Sequence, residues 1–123
     1  MNWCFGGDAP IYAQLIDQIK QGIVSGALPP GERLPSVRDM AVEAGVNPNT
    51  MQKALAELER SGLVFSQRTA GRFVTEDKKM IDEAKIGLAE AQVKLFIAAM
   101  NRLGFDKESI LSLINQASEE GGK

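Results

Sequence analysis

The residues best suited to specific chemistry in this 123-residue chain stand in one short run, Asn47-Pro48-Asn49-Thr50-Met51-Gln52-Lys53. Asparagine and glutamine present a donor beside an acceptor, the pair of groups that matches adenine bidentately. Lysine suits guanine or a phosphate. Threonine adds a hydroxyl for the nucleic-acid backbone. Lys53 is the one charge in residues 46–55, so recognition here is weighted toward hydrogen bonding over attraction. The chemistry of catalysis is thin by comparison. There is no histidine, and with it go the commonest general base and the commonest metal ligand. Cys4 is the single cysteine, which excludes a disulfide within the chain and suits a reducing compartment. No phosphate-cradling glycine loop and no spaced set of metal ligands is present. The sequence therefore predicts no enzyme, no metal and no cofactor.

Charge has to act locally if it acts at all. The formal net charge is −2, and residues 1–75 balance seven Lys/Arg against seven Asp/Glu. From Ser61 to Thr75, however, the only charges are Arg68 and Arg72. A protein of 44% hydrophobic and 24% charged residues is expected to be globular and soluble. No apolar run approaches the roughly 18 residues of a membrane span, and the start lacks a signal-peptide pattern. A cytoplasmic protein with no membrane partner is expected.

The elements that must position these residues follow from periodicity and punctuation. Residues 8–25 predict a helix, with Asp8 as cap, Pro10 in its first turn, and Tyr12, Leu15, Ile16, Ile19 and Ile23 on one face. "GALPPGERLP" breaks it. Ser36 caps a short second helix, with Asp39 at the capping-box position and Gly45 at its end. Asn47 caps a third helix with Pro48 at its first position, and Met51, Ala54, Leu55 and Leu58 form its buried stripe. That stripe turns Asn49, Gln52, Lys53 and Ala56 outward. Residues 63–67 and 72–75 predict a β-hairpin around "RTAG", with Gly71 near its tip. Two helices joined by a tight glycine turn make a helix-turn-helix, whose second helix offers its N-terminal residues to the DNA major groove. A hairpin with two arginines and no acid fits a wing along the backbone or minor groove.

At this point the chain resembles a known family. The run "GALPPGERLPSVRDMAVEAGVNPNTMQKALAELERSGLV", followed by "AGRFV", is similar to the winged-helix domain of the GntR family of bacterial transcription regulators. The likeness spans roughly residues 9–75. It rests on the Leu-x-Pro-Gly-x-x-Leu-Pro-Ser-x-Arg linker, the Thr-(x)3-Ala-Leu helix and the Gly-x-Phe-Val wing, in that order. The resemblance implies that Arg38 touches DNA from the second helix, and the capping Ser36, two positions earlier, belongs to the expected DNA-binding set as well. It also implies base and phosphate contacts from Asn47, Asn49, Thr50, Gln52 and Lys53, and a minor-groove approach by the wing at Gly71, beside Arg68 and Arg72. The wider family often carries arginine at the positions of Pro48 and Gln52. The "VNPNT" version resembles the small YtrA-type branch and shifts the expected contacts toward adenine or phosphate.

From Glu76 the character changes. Ile86, Ala89, Val93, Phe96, Met100 and Leu103 recur at spacings of 3 and 4, and Ile81, Ala84, Leu88, Ala91, Leu95 and Ala98 run beside them. A helix over 76–103 would be about 42 Å long, against a radius of gyration of about 11 Å for a 75-residue domain. "GFD" ends it, Asp106 caps a last helix, and Ile110 and Ile114 lie on that helix's apolar side. The fold class expected is thus mainly α with a small β-hairpin: a winged helix-turn-helix over 8–75, then a two-helix dimerisation hairpin over 76–120. A homodimer binding double-stranded DNA at a palindromic operator follows. The YtrA-type resemblance implies a repressor, often of a transporter operon. The tail leaves little room for a buried effector pocket, and the identity of any effector stays open. The alternative expectation is a winged-helix protein–protein interaction module without DNA binding, favoured by the neutral N-terminal charge.

Overall fold

A computed structural model of the chain describes residues 1–120. The element order is α1 (Ile11–Ser25), α2 (Val37–Ala44), α3 (Pro48–Ser61), β1 (Val64–Gln67), β2 (Gly71–Val74), α4 (Lys78–Arg102) and α5 (Lys107–Glu120). Two compact units emerge: Met1–Ile86, and a second beginning at Gly87.

The first unit is three helices closed by a hairpin. Leu15, Ile19 and Ile23 of α1, Met40 and Ala41 of α2, and Met51, Ala54, Leu55 and Leu58 of α3 meet in one core with Val64 and Val74 of the strands. All four stripe residues of α3 have no exposed surface, so the rotation of that helix is fixed by packing. The punctuation behaves as its chemistry requires. Ser36 Oγ accepts from Asp39 N–H at 3.1 Å, and Asn47 Oδ1 accepts from Asn49 N–H at 2.7 Å. Gly45 (φ 72°) turns the chain between α2 and α3 in the left-handed conformation, where a Cβ would be strained.

Four features depart from the expectation. First, α1 begins at Ile11, with Pro10 as its N-cap residue and no side-chain cap, so Asp8 does not start it. Gln14 instead secures the entry, its amide donating to Ala9 O at 2.7 Å and accepting from Gly6 N–H at 3.1 Å. Second, Tyr12 is exposed, at 38%, where the apolar stripe would have buried it. Third, Gly71 opens β2 opposite Gln67, leaving Arg68, Thr69 and Ala70 as the turn. Fourth, the proline-broken linker is itself strand-like. Leu34 N–H donates to Arg72 O at 2.8 Å, Val74 N–H to Glu32 O at 2.9 Å, and Arg33 bridges Phe73. The linker thereby covers the free edge of β2.

An N-terminal strap, silent in the sequence, completes the unit. Gln18 grips the Cys4 backbone through both amide atoms, at 3.0 and 2.8 Å. Trp3 and Phe5 stack at 6.1 Å, and both pack against the core. Glu43 of α2 receives the Trp3 indole N–H at 3.3 Å and pairs with the Met1 ammonium at 3.5 Å.

Asp77 caps α4 by accepting from Met80 N–H at 3.2 Å. The first turns of α4 belong to the winged unit, where Ile81 is buried and Met80 and Ala84 pack on the core. In the second unit Asp106 Oδ1 accepts from Ser109 N–H at 2.9 Å and starts α5. This bond holds the Asp106 carboxyl below its usual range. Ile110 is buried there, yet an apolar groove of about 380 Å³ remains between α4 and α5. Its floor includes Val93, Phe96, Ile97 and Ile114. Ile97 and Leu111 widen the apolar face beyond the two expected seams. Nothing stands within 4 Å of a Cβ built on Gly87.

Candidate nucleic-acid interface

The buried stripe of α3 leaves Asn49, Gln52 and Lys53 on its exposed side. Thr50 is half-buried. The side chains of Ser36 and Asn47 are exposed, but each spends its oxygen on a helix cap. Their role in the site is first to hold the N-termini of α2 and α3, whose free N–H groups and positive dipole ends favour an anion. Arg38 is exposed on the first turn of α2.

Six of the ten expected site residues gather in two places. Ser36, Arg68, Gly71 and Arg72 border an open cleft of about 390 Å³ between the start of α2 and the hairpin. Thr50 and Lys53 border a second depression, of about 560 Å³, between α3 and α1. Arg38, Asn47, Asn49 and Gln52 line neither.

The two hairpin arginines differ in state. Arg68 is exposed and makes no ion pair among the described residues. Arg72 is not free: its Nε donates to Glu59 Oε1 at 3.1 Å, with only 20% of the side chain exposed. Glu59 also accepts from Ser66 Oγ. The Ser66 bond, ahead of Arg72, holds the Glu59 carboxyl below its usual value against the opposing effect of burial. The hairpin carries no acid of its own, but α3 supplies one.

Residues 11–74 match the family described as "Bacterial regulatory proteins, gntR family". The chain belongs to the GntR family. It is 41% identical over 117 residues to the HTH-type transcriptional regulator YhcF of Bacillus subtilis, a match covering 95% of this chain and 97% of that protein. It is 37% identical to the HTH-type transcriptional repressor YtrA of the same organism, covering 93% and 90%. A GntR family regulator from Listeria monocytogenes superposes with a TM-score of 0.84 at 36% identity, over 93% of this chain and all of that one. The AraR DNA-binding domain in complex with operator ORX1 superposes at 0.56 and 29% identity, over 61% of this chain and 96% of that one.

This GntR chain is therefore a DNA-binding regulator of transcription, from a family that is not one of enzymes. Among the described residues no helix is long and apolar enough to cross a membrane.

Two parts of the candidate interface were not legible in the sequence. Arg33, a spacer position in the linker motif, lines the cleft at the hairpin. Its signal was faint: one arginine between a turn glycine and a buried leucine. Tyr12 and Arg60 border the α1–α3 depression. Arg60 is tied to Glu57, whose carboxyl it holds below the usual range.

Proposed function

We propose that this regulator is a homodimeric repressor that binds a palindromic operator, with α3 as the reading helix of each protomer. The observation that carries the reading is the outward edge of α3. Asn49, Gln52 and Lys53 are exposed on a helix whose opposite side is wholly buried. Amide side chains so held suit adenine edges, and Lys53 suits guanine or a phosphate. Arg38 and Thr50 supply further contacts at the front of the helix pair. Arg68 and Gly71 bring the hairpin to the minor groove or backbone.

Dimerisation is supported by the apolar surface of the tail. Ile86 (58%), Val93 (53%) and Leu103 (71%) are largely exposed in a single chain, and Phe96 and Ile114 border an unfilled groove. Ala89 and Met100 extend the same seam, whereas Ile110, expected there too, is buried within the tail itself. Exposed apolar side chains at that density mark an interface, and a second copy of the same surface is the simplest complement. Two reading helices related by a twofold axis then require two inverted half-sites. Likeness to the repressor YtrA supports negative regulation, and the YtrA-type resemblance points to a transporter operon near the gene.

A mobility-shift titration with the DNA upstream of its own gene tests the proposal. The expected result is salt-sensitive binding to an inverted repeat at a stoichiometry of two chains per site. Absence of binding to any segment of that region at low salt would refute it.

A further inference from the structure

We propose that Arg33 grips a backbone phosphate of the operator from the root of the wing. The inference rests on the DNA-binding reading above and adds a contact from the linker, outside both the reading helix and the hairpin turn.

Four observations carry it. The Arg33 backbone is fixed to the sheet edge, because Leu34 N–H donates to Arg72 O at 2.8 Å and Val74 N–H donates to Glu32 O at 2.9 Å on either side of it. The guanidinium lies against Gly71: a Cβ there would stand 3.1 Å from Nε and 3.6 Å from Nη2. The φ of +105° at Gly71 already disfavours any side chain, so the glycine serves both the turn and the arginine. Arg33 is exposed and makes no ion pair among the described residues, although Asp39 borders the adjoining depression. Finally, it shares the 390 Å³ cleft with Arg68 and with Ser36 at the start of α2.

The electrostatics select the ligand. Three guanidinium groups border the cleft, and Glu59 neutralises one of them, Arg72. The two left uncompensated come from different elements, one from the linker and one from the hairpin turn. A tetrahedral anion between them meets a donor fork from each side, with the positive end of α2 close by. A guanidinium fits this place better than an ammonium. It is flat enough to lie on the glycine backbone while its far edge still presents donors. Arg33 is thus a positioning contact: it sets the register of the wing on the duplex and carries no sequence information.

The test uses the full chain and a duplex carrying its upstream inverted repeat, with Arg33→Gln and Arg33→Lys beside the wild type. One phosphate contact contributes about 0.9 to the slope of log K against log salt concentration. Arg33→Gln should therefore flatten the slope by about 0.9 per half-site, about 1.8 for the dimer, and weaken binding about tenfold per half-site at 0.1 M salt, with the ranking of operator variants unchanged. Arg33→Lys should keep the slope. A scan of neutral methylphosphonates along the duplex separates a direct contact from a folding effect. One substitution per half-site should weaken the wild type and leave Arg33→Gln unaffected. Equal affinity and slope for wild type and Arg33→Gln would overturn the inference, as would a scan in which no phosphate loses its effect in the variant. Failure of the wild type to bind any DNA would instead remove the reading beneath it.

Discussion

Replacing Glu59 by glutamine should loosen the wing and make the protein a saltier binder at the same time. Glu59 stands on α3 and takes hydrogen bonds from Ser66 on β1 and Arg72 on β2, so one carboxylate ties both strands to the reading helix. Glutamine keeps an acceptor but loses the charge. The Arg72–Glu59 pair is 20% and 28% exposed, between a surface pair and a buried one. Losing its charge should cost about 1 kcal/mol. For a unit of this size that lowers Tm by about 4–8 °C. The pH dependence follows from the lowered carboxyl of Glu59. Its folded value lies below the unfolded one near 4.5, so its contribution is complete above pH 4.5 and disappears as pH falls through the folded value. The variant should lose that acid-side dependence. Freed of its counterion, Arg72 can meet a phosphate, which would steepen the salt slope of DNA binding by about 0.9 per protomer, about 1.8 for the dimer. Thermal melts at pH 7 and pH 4, with anisotropy titrations at several salt concentrations, read both effects. An unchanged Tm at pH 7 would show that the carboxylate does not anchor the hairpin, and the reasoning would fail there.

The other expectations concern α3 and the tail. Asn47→Ala removes the acceptor held 2.7 Å from Asn49 N–H and should cost about 1 kcal/mol, seen as a Tm fall of several degrees. Gln52→Ala should leave Tm unchanged and relax preference at one base pair by about 1–3 kcal/mol, measured by selection from randomised operators. Lys53→Ala should weaken binding to all sequences alike and flatten the salt slope by about 0.9 per protomer, about 1.8 for the dimer. Phe96→Asp places a carboxylate in the apolar groove of each protomer. With two copies per dimer, dissociation should rise at least about 100-fold in sedimentation equilibrium.

Local chemistry made much of this fold readable, and the residues that escaped share a physical reason. Caps, helix-breaking glycines and a four-residue buried stripe are encoded within a few positions of where they act. Ser36, Asn47, Gly45 and the face of α3 were therefore visible in the chain itself. Arg33 and Arg72 were not, because each owes its state to a distant partner. Arg33 lies where it does because the linker pairs with β2, and Arg72 is neutral in effect because α3 delivers Glu59 across 13 positions of sequence. The same long-range pairing answers the objection from charge. Residues 1–75 carry as many acids as bases, which on its face argues for a protein-binding module. Three of those acids are occupied: Glu43 by the Met1 ammonium, Glu57 by Arg60 and Glu59 by Arg72. Lys20, Arg33, Arg38, Lys53 and Arg68 make no ion pair among the described residues, against the acids Asp8, Asp17, Glu32 and Asp39. Apart from Lys20 on α1, the cations without partners that a duplex can meet stand on the linker, the front of α2, the outward edge of α3 and the turn of the hairpin.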